Sequence, residues 1–111
     1  MPQFYYYVYI VECSDGSYYT GVTNDVERRV WEHNEGIHPE SFTYKRRPVT
    51  LKYTERFTDI KKAIAWEKQV KGWSRKKKEA LFVQNWDLIK ELSKSKTGSQ
   101  SSTLRQAQGS D

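Results

Sequence analysis

The sequence places four side chains that could form a polar site on one predicted hairpin and one predicted helix. They are two phenols, a guanidinium and an imidazole. Tyr9 lies in a strand-like segment and Tyr19 lies in the segment that returns after a turn. Alternate residues of a strand share a face, so the two phenols can meet if the register places both on that face. Arg29 and His33 are spaced i and i+4, which projects them from one side of a helix. From spacing alone, a tyrosine-rich sheet with solvated helix charges is the simpler interpretation.

The elements that must position these residues are predicted as strand, turn, strand and helix. Tyr7 to Cys13 and Tyr18 to Val22 are short segments rich in β-branched and aromatic residues, joined by a turn that contains an Asp-Gly pair. Asn24 and Glu27 then have the spacing of a capping box, which predicts a helix start at Asn24. Gly36 is placed to end this helix.

The second half of the chain predicts one more strand and further helices. Val49 to Phe57 alternates apolar and polar residues, which indicates a third strand. Thr58 or Asp59 caps a helix that runs to about Lys71. Shorter helices are predicted from Arg75 to Phe82 and from Asn85 to Leu92. We therefore expect an α+β fold, in which a small three-stranded mixed or antiparallel sheet is flanked by three to four helices.

Composition sets the bounds on domain number and compartment. The chain has 111 residues, which is room for one small core, and we expect a domain over residues 1–92 and a flexible polar tail over 93–111. Cys13 is the single cysteine, so an internal disulfide and a multi-cysteine zinc site are excluded. We expect no signal peptide and no membrane span, and a cytoplasmic location.

The excess of positive charge is compatible with a polyanion as a partner, although a run of lysines more often forms a surface that contacts only solvent. The formal net charge is +5 and the isoelectric point is near 9.3. The basic residues fall in dense clusters near aromatic residues, and each phosphate that such a cluster neutralises releases counterions. The densest clusters are Lys45-Arg46-Arg47, Lys61-Lys62 and Arg75-Lys76-Lys77-Lys78.

Glu67 is the most informative residue of the second half. It falls near the middle of the apolar stripe that Ile60, Ala63, Ile64 and Val70 or Lys71 form on the predicted helix. A carboxylate buried alone is costly, so Glu67 is expected either to pair with a nearby Arg or Lys or to bind a ligand.

These segments together resemble the GIY-YIG nuclease domain, in particular its small stand-alone members and the N-terminal part of the UvrC repair nuclease. Two tyrosine-containing triplets match the two triplets that name the family, with Tyr7, Val8 and Thr20 in place of Gly, Ile and Ile. The matching segments, in chain order, are Tyr7-Val8-Tyr9, Tyr19-Thr20-Gly21, Arg28-Arg29, Glu32-His33-Asn34, Tyr44 to Pro48, and Trp66-Glu67 onward to about Leu81.

The resemblance implies a site and its chemistry. Tyr9 is the general base for a nucleophilic water, Tyr19 orients the phosphate or the water, and Arg29 clamps the scissile phosphate. Glu67 holds one Mg²⁺ or Mn²⁺ ion, and His33 is a secondary catalytic candidate. A phenol has a pKa of about 10, so the metal, Arg29, His33 or Lys45 is expected to lower the pKa of Tyr9. The candidate nucleic-acid-binding residues are Gly21, Arg28, Lys45, Arg46 and Arg47.

The function implied is that of a metal-dependent DNA endonuclease, acting as a monomer or weak homodimer and directed by DNA structure or damage in repair or recombination. One alternative is a nucleic-acid-binding module with weak or no cleavage, because the first triplet is altered. The family's late asparagine also has only Asn85 as its nearest candidate. The other alternative is a protein-interaction or structural domain that uses its aromatic surface.

Overall fold

A computed structural model describes residues 4–94, and the expected tail over 93–111 lies outside them from residue 95 onward. The strands are β1 (Tyr6–Glu12), β2 (Tyr18–Thr23) and β3 (Thr50–Phe57). The helices are α1 (Val26–Glu35), α2 (Ile60–Lys71), α3 (Arg75–Phe82) and α4 (Trp86–Lys94), with a 3₁₀ turn over Tyr44–Arg46. The expected α+β fold is confirmed, and its sheet is antiparallel throughout.

The central strand of the sheet is β1, in the order β2-β1-β3. Tyr9 pairs with Gly21 on β2, and Val11 pairs with Tyr19. Because directly opposed residues share a face, Tyr9 and Tyr19 lie on the same face, as the alternation predicts.

Both faces of β1 are covered, so residues 8–11 are at most 1% exposed. On the face of Tyr9, α1 contributes Val26 and Val30 to the core. On the opposite face, the indole Nε1 of Trp66 on α2 donates a hydrogen bond of 3.1 Å to the hydroxyl of Tyr53, which pairs with Ile10. The site can therefore be built on a strand that is fixed from two sides.

The chain divides into two compact units, one ending at Lys68 and the other beginning at Gln69. The first contains the sheet, α1 and most of α2. In the second, α3 and α4 are capped by Ser74 and Asn85, whose side chains accept hydrogen bonds from backbone N–H groups three residues later. Within residues 4–94, no helix has the length and apolar content that crossing a membrane requires.

The apolar stripe of α2 is only partly buried. Ala63 is fully buried and Glu67 is half-buried, but Ile60 and Ile64 are 38% and 41% exposed. Two members of the apolar stripe around Glu67, Ala63 and Val70, are therefore fully buried, whereas the two isoleucines are exposed.

The first helix begins one residue later than the capping-box spacing predicts. Asp25, not Asn24, is the N-cap, and its carboxylate accepts a hydrogen bond of 3.0 Å from the N–H of Arg28. Thr23 decides the choice, because its hydroxyl accepts the N–H of Asp25 at 3.1 Å and so keeps that residue outside the helix. Gly36 ends the helix as predicted, in the left-handed region with φ of 71°.

This cap assignment can be tested by replacing each candidate in turn. Asp25→Ala should lower the free energy of unfolding by about 1 kcal/mol, because the first turn of α1 loses its acceptor. Asn24→Ala serves as the matched control and should leave the stability unchanged. Urea denaturation measures both, and an equal loss in the two variants would contradict Asp25 as the cap.

Candidate active site

The hydroxyl of Tyr9 lies at the centre of the site. The side chain is 1% exposed, and its oxygen lies 2.9 Å from Nε2 of His33 on α1. The other ring nitrogen of His33, Nδ1, lies 2.8 Å from the hydroxyl of Thr43, which is fully buried in the loop before β3. Ser41 continues this chain, with its hydroxyl 3.1 Å from that of Thr43.

Burial decides the protonation state of both groups. Burial and the neighbouring Tyr19 raise the pKa of Tyr9 to about 12, against the lowering effect of Arg29. Burial, followed by the positive charge of Arg29, lowers the pKa of His33. The expectation that neighbouring cations lower the pKa of Tyr9 holds for Arg29 taken alone, but burial outweighs it. At neutral pH the site therefore contains a protonated phenol beside a neutral imidazole.

Arg29 links Tyr9 to a carboxylate. Its Nη1 lies 3.3 Å from Oε1 of Glu32, and the guanidinium acts to lower the pKa of the Tyr9 phenol. The Nε atom of Arg29 is buried with no hydrogen-bond partner among the described residues. The guanidinium thus keeps a donor that an oxygen of a bound anion could satisfy, although its charge is already balanced by Glu32.

Tyr19 lies in a stack of rings that runs outward from the site. Its ring centroid is 6.3 Å from that of Tyr9 and 5.4 Å from that of His33. On its outer side it stacks on Phe42 at 6.1 Å, and the guanidinium of Arg46 lies 3.8 Å from the centre of the Phe42 ring. Tyr19 is therefore held between the buried groups and the loop.

Gly21 makes room for Tyr9. A Cβ atom at this position would lie 2.7 Å from the Tyr9 hydroxyl and 2.8 Å from the ring carbon that bears it. Gly21 is buried within β2, and the space that its missing side chain leaves is filled by Tyr9, while its role in binding a nucleic acid stays a prediction.

The basic candidates divide into two groups. Arg46 binds the Asp15 carboxylate at 3.2 Å, and Arg47 donates to the carbonyl of Tyr44 at 2.8 Å, so both hold the loop in place. Lys45 is exposed, and Arg28 is 61% exposed with Glu32 at 3.8 Å. Lys45 and Arg28 are thus the two candidates most available to a polyanion.

Asn34 ties this loop to α1. Its side-chain amide donates to the carbonyl of Val49 at 3.1 Å and accepts the N–H of the same residue at 2.7 Å. Nearer the site, the N–H of Ser14 donates to the carbonyl of Arg46 at 2.8 Å. These contacts fix the loop at its far end and at the hairpin, which places Thr43 beside His33.

Glu67 lies on a different element from the cluster of Tyr9, Tyr19, Arg29 and His33. It is half-buried and follows Trp66, whose indole contacts the sheet face opposite Tyr9. The carboxylate among the main charges acting on Tyr9 is that of Glu32.

The donor set limits which metal ion could bind. The described residues contain no group of three or more His, Cys, Asp or Glu side chains close enough together to hold a metal ion. Mg²⁺ commonly keeps several waters and takes only one or two protein carboxylates, whereas zinc sites use three or four protein ligands. A single carboxylate such as Glu67 therefore fits a largely hydrated Mg²⁺ or Mn²⁺ ion and does not fit zinc.

A groove of about 540 Å³ opens on the same sheet face, at the N-terminal end of α1. Tyr7, Val30 and Leu51 form apolar walls, and Asp25 and Glu27 place carboxylates beside them. Carboxylates repel phosphate, so this groove is not where a nucleic-acid backbone would enter.

Three residues of the site cannot be identified from sequence patterns that mark catalysis. Glu32 falls in the matched segment Glu32-His33-Asn34 and is spaced i+3 from Arg29, but neither signal assigns it a role, and Phe42 and Thr43 lie in a loop without periodicity. Asn85, considered as a site asparagine, accepts the N–H of Leu88 and caps α4.

Adding a methyl group at position 21 tests the close approach of Tyr9. Gly21→Ala should lower the free energy of unfolding by about 1–3 kcal/mol, because the new Cβ overlaps the phenol. Tyr9→Leu removes all three atoms that would lie within 2.9 Å of the new Cβ, the hydroxyl and two ring carbons, so the same Gly21→Ala change should cost less in that background. A double-mutant cycle by chemical denaturation measures this coupling. Additive effects would mean that the two residues do not contact.

The neutral state of His33 predicts a pH dependence of stability. Burial lowers the pKa of His33 below its usual 6.5, so the unfolded chain takes up a proton that the folded chain resists. The free energy of unfolding should therefore decrease as the pH falls through and below about 6.5. His33→Gln should flatten this slope, whereas the exposed His38→Gln should retain it. Equal slopes in all three proteins would contradict a depressed pKa at His33.

Comparison with known proteins identifies the family to which this chain is similar. A family model of the GIY-YIG catalytic domain matches residues 5–80. A UPF0213 protein of Halobacterium salinarum is 52% identical over 77 residues, which cover 69% of this chain and 99% of that protein. A UPF0213 protein of Bacillus pumilus is 40% identical over 91 residues, covering 82% and 91% of the two chains.

A solved structure is similar to this chain in both sequence and fold. The solution NMR structure of a protein from E. faecalis is 38% identical, with a TM-score of 0.52, and the match covers 76% of this chain and 88% of that one. The site geometry and the matched residues lead to one conclusion: the chain belongs to the GIY-YIG nuclease family, among the small proteins grouped as UPF0213.

Proposed function

We propose that this protein is a metal-dependent endonuclease that hydrolyses phosphodiester bonds of DNA. The observation that carries the proposal is the hydrogen bond between Tyr9 and His33 beside Arg29, in a chain of the GIY-YIG family. The chain acts on DNA structure or damage in repair or recombination, as a monomer or weak homodimer in the cytoplasm.

The proton of the attacking water has a defined route in this site. A phenol with a pKa of about 12 is protonated at neutral pH, so Tyr9 can accept a proton only if it releases its own. The neutral His33 lies 2.9 Å away and its Nε2 can take that proton. As water attacks phosphorus, its proton passes to the Tyr9 oxygen and the Tyr9 proton passes to His33.

The remaining groups bind and orient the phosphate. Arg29 offers its buried Nε–H and its fork to the phosphate oxygens, and in doing so exchanges Glu32 for the substrate. Tyr19, fixed by Phe42, presents its hydroxyl to the phosphate or the water. A divalent ion held by Glu67 would supply charge stabilisation at the phosphate and the leaving oxygen when it is bound.

A second candidate is a nucleic-acid-binding module with weak or no cleavage. The pKa of about 12 for Tyr9 and the pairing of Arg29 with Glu32 favour it, since both must be overcome before hydrolysis. This module would bind DNA in a salt-sensitive way, because binding releases counterions, yet leave it intact.

Nicking of supercoiled, duplex, branched and single-stranded DNA in Mg²⁺, Mn²⁺ or EDTA separates the two candidates. Glu67→Gln should remove metal-dependent cleavage, and Tyr9→Phe should lower the rate by about 10²- to 10⁴-fold. Glu35→Gln, an exposed acid on α1, is the matched control and should retain the wild-type rate. Cleavage that persists in EDTA or in Glu67→Gln would refute the metal-dependent mechanism. Salt-sensitive binding without cleavage would favour the binding module.

A further inference from the structure

His33 is hydrogen-bonded at both ring nitrogens, and the second partner has no role in the mechanism above. Nε2 lies 2.9 Å from the Tyr9 hydroxyl and Nδ1 lies 2.8 Å from the Thr43 hydroxyl. We propose that Thr43 is a positioning residue that orients His33 toward Tyr9, and that Thr43 and Ser41 carry the proton released by Tyr9 to solvent. This inference rests on the proposed function.

The direction of each hydrogen bond follows from the donors available. Arg29 beside Tyr9 can only donate, so the acceptor available to the Tyr9 proton is Nε2 of His33, 2.9 Å away. A neutral imidazole that accepts at Nε2 carries its own proton at Nδ1, and this proton is donated to Thr43. The Thr43 hydroxyl is then free to donate to Ser41 at 3.1 Å.

The hydrogen-bonded groups become more exposed from Tyr9 toward Ser41. Tyr9 and Thr43 are at most 1% exposed and His33 is 8% exposed, whereas Ser41 is only half-buried. The row of hydrogen-bonded groups therefore leads from the closed interior of the site to a residue that water can reach. The loop that contains Thr43 is held by a hydrogen bond of 2.9 Å from the N–H of Arg46 to the carbonyl of Thr43.

The hydroxyl of Thr43 permits a proton transfer from Nδ1 of His33 that a carboxylate at the same position would prevent. The Tyr9 proton moves to Nε2, the Nδ1 proton moves to the Thr43 oxygen, and the Thr43 proton moves to Ser41, which gives its own proton to water. One proton leaves Tyr9 and one reaches solvent, so His33 ends neutral in its other tautomer and need not remain charged. A carboxylate facing Nδ1 would instead hold the first tautomer, because a charged acceptor binds the N–H more strongly.

The positioning role is tested without activity, by ¹⁵N NMR of the His33 ring nitrogens in protein free of DNA and metal. Wild type and Thr43→Ser should show the tautomer protonated at Nδ1. The nearly isosteric Thr43→Val lacks the acceptor and should shift His33 toward the tautomer protonated at Nε2. Thr50→Val, an exposed threonine of β3, is the control for the substitution itself. A wild-type tautomer in Thr43→Val would overturn the positioning role.

The relay is tested by the single-turnover nicking rate at saturating DNA. Thr43→Val should lower this rate by about 10- to 100-fold, the cost typical of losing the group that orients a metal-binding histidine, with unchanged DNA affinity. Thr43→Ser should restore the rate. Ser41→Ala, at the partly exposed end, should keep the tautomer and still slow the step.

Other outcomes separate this inference from the proposed function. A wild-type rate in both Thr43→Val and Ser41→Ala would overturn the relay, as would a failure of Thr43→Ser to restore it. If the wild-type protein cleaves no DNA, the proposed function and the relay both fail, while the NMR measurement still decides whether Thr43 orients His33.

Discussion

The burial of one phenolic hydroxyl, that of Tyr9, is the constraint on which the arrangement of the first unit depends. A buried hydroxyl without a partner costs about 1–3 kcal/mol, so the groups around it are arranged to satisfy it. The neighbouring strand omits a side chain at Gly21 to admit the ring, and α1 turns His33 toward its oxygen. Because Tyr9 lies on the central strand, a shift of α1 would leave this hydroxyl unpaired, and a one-residue slip of β2 would place a side chain where Gly21 makes room for the ring.

The same burial sets the electrostatics of the site. Low polarity keeps the phenol protonated and the imidazole neutral, whereas Arg29 acts on Tyr9 in the opposite direction. Glu32 balances Arg29 in the absence of substrate. Under the proposed function, a phosphate that reaches the guanidinium would compete with an internal carboxylate at Nη1, whereas the buried Nε–H has no partner to give up.

The features that the sequence predicts are those that depend on local periodicity. Period-two alternation and one strand pairing place Tyr9 beside Tyr19, and the i, i+4 rule places Arg29 and His33 on one side of α1. Features that depend on contacts distant in the chain do not follow from these patterns. Thr43 reaches His33 through a loop without a pattern, and the pKa of Tyr9 follows from burial that no spacing encodes. At the start of α1, competition between two adjacent acceptors was decided by the hydroxyl of Thr23.

The double hydrogen bond between Asn34 and Val49 has a consequence for how this family can diversify. It closes the chain between α1 and β3 into a ring, in the manner of one extra rung of a sheet. The entropy of closing such a ring changes slowly with its length, so residues can be inserted or exchanged between Gly36 and Ser41 at small cost in stability. Evolution could therefore vary the outer rim of the site, and with it the substrates admitted, while the buried groups stay in place.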